Sequence, residues 1–268
     1  MNAILSILSV LTILAVGIFY YSEHLPFETK HDPQYQTERS ATETVLLPDF
    51  SQFDNAFERK AAFIRFLTPL ITLKNQETLN KRQALLALQR RYLLAKKLDG
   101  DDIALLSLLA SEYDELTNNN WSDKIDALLL KINVIPLEIA IAQAAIDSGW
   151  GTSKFAVKGN NIYAQWCFEP SCLSVPSNTE AKRKVAKFTS VTQSIDKYFN
   201  LLNSSTAYHT FRESRAHYEL PYSWLAIEKM IDGLENYSSK RIIYTRQVKQ
   251  TSKDIHSHLS QLYLALKQ

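Results

Sequence analysis

"IPLEIAIAQAAIDSGWGTSKFAVKGNNIYAQWCF", residues 135–168, joins an apolar run to a cluster of turn-forming and aromatic residues. Pro136 suits the first position of a helix, where its missing N–H leaves no hydrogen bond unmade, and Glu138 suits the first turn. Gly149 is typical of the residue that ends a helix. Because the run between them is apolar on almost every side, it predicts a helix in the middle of a domain.

Gln143 and Asp147 are the two polar side chains along this run, and their spacing of four residues places them on one helix face. That face is predicted to line a cleft. The carbonyl groups of the last turn and partial burial both disfavour an ionised carboxylate, so they raise the pKa of Asp147. A raised pKa suits a general acid near neutral pH. The alternative is a local hydrogen bond or an ion pair with a lysine such as Lys154.

Amides and aromatic rings follow the helix. Asn160 and Asn161 predict a turn with two amide side chains, and Tyr163, Trp166 and Phe168 come soon after. Amides bind hydroxyl and acetamido groups, and flat rings stack on the apolar faces of sugars. Core packing would explain the rings equally well. Their coincidence with the lone acid favours a sugar-binding cleft.

The composition is that of an ordinary folded protein with long helices. The 268 residues carry a formal net charge of +2, with six glycines and eight prolines. So balanced a charge gives no basis for nucleic-acid binding. Helical spacing runs from Phe53 to Lys97, with a break or kink predicted at Pro69. The sequence "KVAKFTSV" alternates like a short strand. The predicted fold is α+β and mainly α, with a small β or loop lobe near residues 165–190.

The N-terminus predicts a membrane segment. Residues 3–21 are 19 consecutive uncharged positions, about 28 Å as a helix, which matches the apolar thickness of a bilayer. Residues 1–22 are therefore interpreted as a transmembrane anchor, with a cleaved signal peptide as the alternative. Residues 23–50 are polar and predict a flexible linker, and residues 51–131 predict a helical extension. Cys167 and Cys172 would be thiols in a reducing compartment or a disulfide in an oxidising one.

"KINVIPLEIAIAQAAIDSGWGTSKFAVKGNNIYAQWCFEPSC", residues 131–172, resembles the signature of the bacterial Bax-like glucosaminidases of glycoside hydrolase family 73. "RKAAFIRFLTPLI", "NQETLNKRQALLAL", "KFTSVTQSIDKYFNLLNSSTAY" and "LENYSSKRIIYTRQV" resemble other blocks of that family, in the same order. The resemblance implies a lysozyme-like domain over residues 132–268 that cleaves the β-1,4 bond after N-acetylglucosamine in peptidoglycan.

The resemblance also implies roles for individual residues. Asp147 stands where the family has its catalytic glutamate, and Tyr237 matches a tyrosine near the scissile bond. The implied glycan-binding residues are Asn160, Asn161, Gln165, Trp166 and Tyr244, to which the residue pattern adds Gln143 and Tyr163. The spacing of Cys167 and Cys172 matches a family disulfide on the exported side.

Two departures from the family pattern bear on activity. Aspartate in place of glutamate withdraws the carboxyl by about one C–C bond, and misplacement on the ångström scale can cost about a hundredfold in rate. Tyr163 and Ala164 stand where the family has Phe-Gly, so a position that needs a positive φ would be strained by alanine.

Glycosidases commonly use a second carboxylate. Glu180 is the predicted candidate, with participation of the substrate's acetamido group as the alternative. The histidine and cysteine spacing predicts no metal site, and no cofactor is expected.

The predicted protein is anchored in the bacterial inner membrane by a single span, with its domain in the periplasm on peptidoglycan glycan strands. Secretion to the periplasm after signal cleavage is the alternative location. The alternative function is a non-catalytic glycan-binding scaffold of the envelope that keeps the same cleft.

Overall fold

The computed structural model describes residues 44–116, 120–167, 172–174 and 184–266. Residues Thr44–Gln268 group into one compact unit. The predicted membrane segment at residues 3–21 lies outside the described residues, as does the linker up to residue 43. Within the described ranges, no helix has the length and hydropathy that crossing a bilayer requires.

Helix α1, Ala56–Ala95, is a single helix of 40 residues. Asn55 begins it by accepting a hydrogen bond from the Phe57 N–H at 2.8 Å. The helix continues through Pro69, so the predicted break is wrong, while the alternative of a kink stays a prediction. Buried side chains on both sides of the proline, Leu67 and Ile71, hold the helix in place by packing into the main core.

Helices α2, Gly100–Glu112, and α3, Trp121–Lys131, pack with the second half of α1. Together they enclose a small core that contains Leu88, Leu106 and Leu128. The first half of α1 instead contributes to the main core, beside helix α4, Leu137–Ser148. The predicted extension, residues 51–131, thus supplies side chains to both cores.

Helix α4 lies inside the main core, as its composition predicts, and eight of its residues are buried. Pro136 caps it, one position before the expected site. Gly149 ends it with a left-handed backbone, φ 58°, which confirms the predicted stop. Gly151, with φ 82°, then turns the chain so closely past the Phe50 ring that a Cβ would meet it at 2.3 Å. The next helix is α5, Lys154–Gly159.

A small β lobe follows, as predicted. Strand β1, Leu173–Ser174, pairs antiparallel with β2, Lys184–Val185, and Trp166 forms a single bridge to Val185. The Cys167–Cys172 disulfide is present. The strand expected over "KVAKFTSV" is shorter than predicted, because the Ala186 and Phe188 N–H groups donate to the Gln165 and Gly159 carbonyls instead of to β1. Ser190 then caps the next helix, accepting from the Gln193 N–H at 3.1 Å.

Four further helices complete the domain: α6, Val191–Ser204; α7, His209–Ala216; α8, Trp224–Asp232; and α9, Ile242–Leu266. Short 3-10 turns lie at Phe50–Gln52, Thr206–Tyr208 and Glu235–Tyr237. Helix α9 packs along α4. The mainly helical prediction is therefore confirmed for the described residues.

The segment before α1 is part of the domain from residue 44 onward, whereas residues 23–50 were predicted to be a flexible linker. Val45 accepts a hydrogen bond from the Val191 N–H at 2.8 Å. Phe50 is buried against the rings of Phe63 and Phe66. The apolar Phe50 ring, with Leu47 packed against the same core, holds the end of this segment on the domain.

Candidate active site

Asp147 is the penultimate residue of α4 and lies where this helix meets α9. Its carboxylate oxygens accept hydrogen bonds from the Tyr244 hydroxyl at 3.2 and 3.3 Å. Burial raises the pKa of Asp147 to about 7, although the hydroxyls of Tyr244 and Tyr237 lower it in part. In the described part of the chain no lysine or arginine pairs with Asp147. Its polar partners are tyrosines, and Lys154 is not among them.

Tyr237 and Tyr244 stack beside this carboxylate, with ring centroids 5.4 Å apart and planes 13° from parallel. Tyr237 ends the 3-10 turn after α8, and Tyr244 lies in the first turn of α9. The Tyr237 hydroxyl donates to the backbone carbonyl of Tyr163 at 3.2 Å. This bond ties the α8–α9 connection to the loop that follows α5.

A cleft of about 540 Å³ opens in front of Asp147, within the size range of small-molecule sites. It is lined by Asp147, Tyr163, Ala164, Trp166, Tyr237, Ser238 and Ser239. Asp147 is the only acidic residue among these described lining residues. Trp166 keeps 53% of its surface exposed and lines the same cleft as the acid.

The predicted amides lie behind this surface and hold the loop together. Asn161 is fully buried, donates to the carbonyls of Gln165 and Ala186, and accepts from the Gln165 N–H. Asn160 accepts from the Leu47 N–H at 3.2 Å and donates to the Phe188 carbonyl at 3.2 Å. Their hydrogen bonds shape the wall that carries Trp166, and direct glycan contacts from them stay a prediction.

The side chains of Gln165 and Gln143 also form hydrogen bonds within the protein. The Gln165 amide donates to the Ser194 carbonyl at 2.9 Å. Gln143 shares a helix face with Asp147, as its spacing predicts, but it has no exposed surface. Its amide donates to Tyr244 and accepts from Tyr198. Gln143 thus lies beneath the acid.

Sequence reasoning missed three residues of this site. Tyr198 on α6 stacks on Tyr163 at 3.8 Å and 3°, and Ser238 and Ser239 line the cleft beside Tyr237. Tyr198 occupies an apolar position of an amphipathic helix, where an ordinary core tyrosine gives the same signal. The two serines are adjacent to Tyr237 in "ENYSS", and that adjacency was the available signal.

Ala164 has a left-handed backbone, with φ 47°, at the position where the family pattern has glycine. Its backbone conformation therefore matches the one that glycine adopts readily, at a conformational cost for alanine. The second predicted carboxylate, Glu180, lies outside the described residues. Among the described residues, no group of three His, Cys, Asp or Glu side chains is placed to hold a metal ion.

Comparison with known proteins places the glycosidase signature in this part of the chain. Residues 129–255 match the glucosaminidase family model, described as mannosyl-glycoprotein endo-beta-N-acetylglucosaminidase. Protein bax of Escherichia coli (strain K12) is 31% identical over 207 residues, which span 75% of this chain and 72% of that protein.

Two solved structures are similar at low identity. The glycoside hydrolase domain of FlgJ from Salmonella typhimurium is 16% identical, covers 63% of this chain and 96% of its own, and has a TM-score of 0.36. A type VI secretion system effector–immunity complex from Pseudomonas protegens is 17% identical, covers 58% of this chain and 91% of its own, and has a TM-score of 0.30.

Proposed function

The chain belongs to the Bax-like branch of the glucosaminidase family, and we propose that it hydrolyses the β-1,4 bond after N-acetylglucosamine in peptidoglycan glycan strands. The proposal includes a lysozyme-like arrangement of the helices around the cleft. The observation that supports it most is Asp147, a carboxyl with a pKa raised to about 7 at the edge of an open cleft. A group that is still half protonated near neutral pH can donate a proton where an ordinary aspartic acid cannot.

Asp147 acts as the general acid in this proposal. Its proton passes to the glycosidic oxygen as the bond to the anomeric carbon breaks, so the leaving sugar departs as a neutral alcohol. Tyr237, whose hydroxyl is fixed by the Tyr163 carbonyl, stabilises charge or orients water at the reacting carbon. Trp166 provides a stacking face for a sugar ring, since it is half exposed in the cleft.

The positive charge that develops on the sugar needs a nucleophile or a base. The lining residues that are described supply one carboxylate, Asp147, which is already assigned as the acid. Glu180 is the proposed second carboxylate, and the acetamido oxygen of the substrate is the alternative. Glu180→Gln separates them: loss of hydrolysis supports the carboxylate, and unchanged hydrolysis supports the acetamido group.

Hydrolysis is tested by digesting purified peptidoglycan with the full chain and identifying the reducing ends by mass spectrometry. Asp147→Asn is expected to lower the rate by about 100-fold or more, while Asp147→Glu retains or raises it. The matched control is Asp54→Asn, the same change at an exposed residue, which leaves the rate unchanged. Equal rates for the Asp147→Asn variant and the parent would contradict the assignment.

The second candidate function is a glycan-binding scaffold without turnover. It is favoured by the short aspartate side chain, whose carboxyl accepts hydrogen bonds from Tyr244 and reaches less far into the cleft than a glutamate would. Binding and hydrolysis are therefore measured on the same material. Glycan binding without any reducing ends supports the scaffold, and reducing ends that disappear with Asp147→Asn support the enzyme.

We also propose a periplasmic location, with residues 3–21 as an inner-membrane anchor. The Cys167–Cys172 disulfide supports an oxidising compartment. Protease added outside spheroplasts is expected to digest the domain. Mass spectrometry of the N-terminus distinguishes an intact anchor from a cleaved signal peptide, and a protected domain would contradict the location.

A further inference from the structure

Behind Asp147 lies a chain of hydrogen bonds that connects it to helix α6. The Tyr198 hydroxyl donates to Gln143 Oε1 at 2.8 Å, and Gln143 Nε2 donates to the Tyr244 hydroxyl at 3.1 Å. The Tyr244 hydroxyl then donates to both oxygens of Asp147. Gln143 and Tyr198 have no exposed surface, and Tyr244 is 4% exposed, so this chain of hydrogen bonds is shielded from bulk solvent.

The direction of each bond follows from the number of hydrogens available. A tyrosine hydroxyl has one hydrogen, which it can give to one side only, whereas an amide has a donor end and an acceptor end. Because Gln143 presents its NH2 group to Tyr244, the hydroxyl oxygen of Tyr244 accepts there. Its single hydrogen is then left for Asp147.

Tyr198 in turn sets the orientation of the Gln143 amide. If the amide rotated by half a turn, Oε1 would face Tyr244 and the NH2 group would face Tyr198. Tyr244 could then donate to Gln143 instead of Asp147, and the Tyr198 hydrogen would lose its buried acceptor. An unmade hydrogen bond inside a protein is costly, so the Tyr198 hydroxyl holds the amide as observed.

We propose that Tyr198 and Gln143 are positioning residues for the active-site carboxyl, which together direct the hydrogen of the Tyr244 hydroxyl onto Asp147. Only the role of that carboxyl as an acid rests on the proposed function. Neither Tyr198 nor Gln143 needs to touch the glycan in this arrangement. Their effect reaches the reaction through Tyr244 alone.

The arrangement opposes the effect of burial. A donor to the ionised carboxylate favours that form, so Tyr244 lowers the pKa of Asp147 while burial raises it. Among the described residues, the titratable groups that interact electrostatically with Asp147 are phenols: Tyr163, Tyr198, Tyr208, Tyr237 and Tyr244. Burial raises the pKa of each, so they stay neutral over the range in which Asp147 titrates.

The test is the titration of Asp147 in the full-length chain, followed by the NMR signal of 13C-labelled aspartate carboxyls. The Asp147 signal is identified by its loss in Asp147→Asn. Tyr198→Phe removes one hydroxyl that does not contact Asp147, frees the amide to rotate and diverts the Tyr244 hydrogen. We expect the Asp147 midpoint to rise by about one pH unit. The alkaline limit of hydrolysis should rise by the same amount, because the acid keeps its proton to higher pH.

Tyr208→Phe is the matched control, since Tyr208 is also buried and its ring packs against Tyr237 at 6.1 Å, outside the hydrogen-bond chain. In Tyr208→Phe, Asp147 should titrate with the same midpoint as in the parent protein. In a Gln143→Met background, Tyr198→Phe should cause no further shift, because its effect passes through the amide.

The proposal would be overturned if Asp147 in Tyr198→Phe titrated with the same midpoint as in the parent. It would also be overturned if Tyr198→Phe shifted the Asp147 midpoint equally in the parent and in the Gln143→Met background. If Gln143→Met does not fold, the comparison of Tyr198→Phe with Tyr208→Phe still tests the proposal. The titration requires no turnover, so a chain that fails to hydrolyse peptidoglycan contradicts the proposed function while the midpoints still test the positioning roles.

Discussion

Replacing Asp147 by asparagine should stabilise the protein at alkaline pH and not at acid pH. Burial raises the pKa of Asp147 from an ordinary 3.8 to about 7. Between these values the folded state holds a proton that the unfolded state has released, so the free energy of unfolding falls as pH rises through this window. About three pH units at about 1.4 kcal/mol each gives about 4 kcal/mol. Because Asp147 keeps a partly exposed edge, solvent screening reduces the expected loss to about 2–4 kcal/mol.

Asparagine keeps the shape of the side chain and carries no charge, so it removes this loss. The free energy of unfolding is measured with urea at pH 3, 5, 7 and 8 for the parent and for Asp147→Asn. The difference between the two should increase by about 2–4 kcal/mol between pH 3 and pH 8, in favour of the variant. For Asp54→Asn the difference should change by less than about 1 kcal/mol. A constant difference for Asp147→Asn at all four pH values would refute the proposed burial of the carboxyl.

Three further changes test the turn and the cleft. Gly151→Ala should lower the free energy of unfolding by more than about 2 kcal/mol in urea denaturation, because the new Cβ would meet Phe50 at 2.3 Å and φ is 82° there. Gly149→Ala is the control and should lower the free energy of unfolding by less, since its Cβ would meet nothing closer than 3.4 Å. Trp166→Ala should weaken binding of a soluble peptidoglycan glycan fragment by about 10-fold in calorimetry. Phe57→Ala removes an exposed ring away from the cleft, on α1, and should leave the affinity unchanged. Ala164→Gly should raise the free energy of unfolding by up to about 1 kcal/mol, since φ is 47° there; a decrease would show that alanine is not strained at this position.

The centre of the fold was predictable because its signals are local. The apolar run before Gly149 can only be stabilised by burial on all sides, and the structure places α4 inside the core. Asp147 was likewise identified from a single position, the last turn of a buried helix. The break predicted at Pro69 was wrong for the opposite reason. Its local preference for a break is overcome by the packing of Leu67 and Ile71, which no local signal reports.

The roles of the amides could not be predicted, because an amide serves a ligand and a backbone carbonyl with the same chemistry. Asn161 and Gln165 are four residues apart, yet the Asn161 side chain bonds to backbone groups of Gln165 within the lobe, whereas the Gln165 side chain donates to the Ser194 carbonyl on α6. Gln143 finds its partners 55 and 101 residues away, on α6 and α9. Pairing over such separations depends on the packing of whole helices. The sequence therefore identified polar residues that lie in or near the candidate site, but it did not predict their hydrogen-bond partners.

The aspartate at position 147 changes the balance between reach and acidity. Its carboxyl stays one C–C bond, about 1.5 Å, nearer to α4 than a glutamate carboxyl would. There it lies within hydrogen-bonding distance of Tyr244 and deep enough for burial to raise its pKa to about 7. A longer side chain would extend toward the open cleft, where water favours the charged form. In the proposed reaction the shorter acid would keep its proton to a higher pH than a glutamate at this position, and a glycan would have to enter further into the cleft, past Trp166 and Tyr237, to receive it.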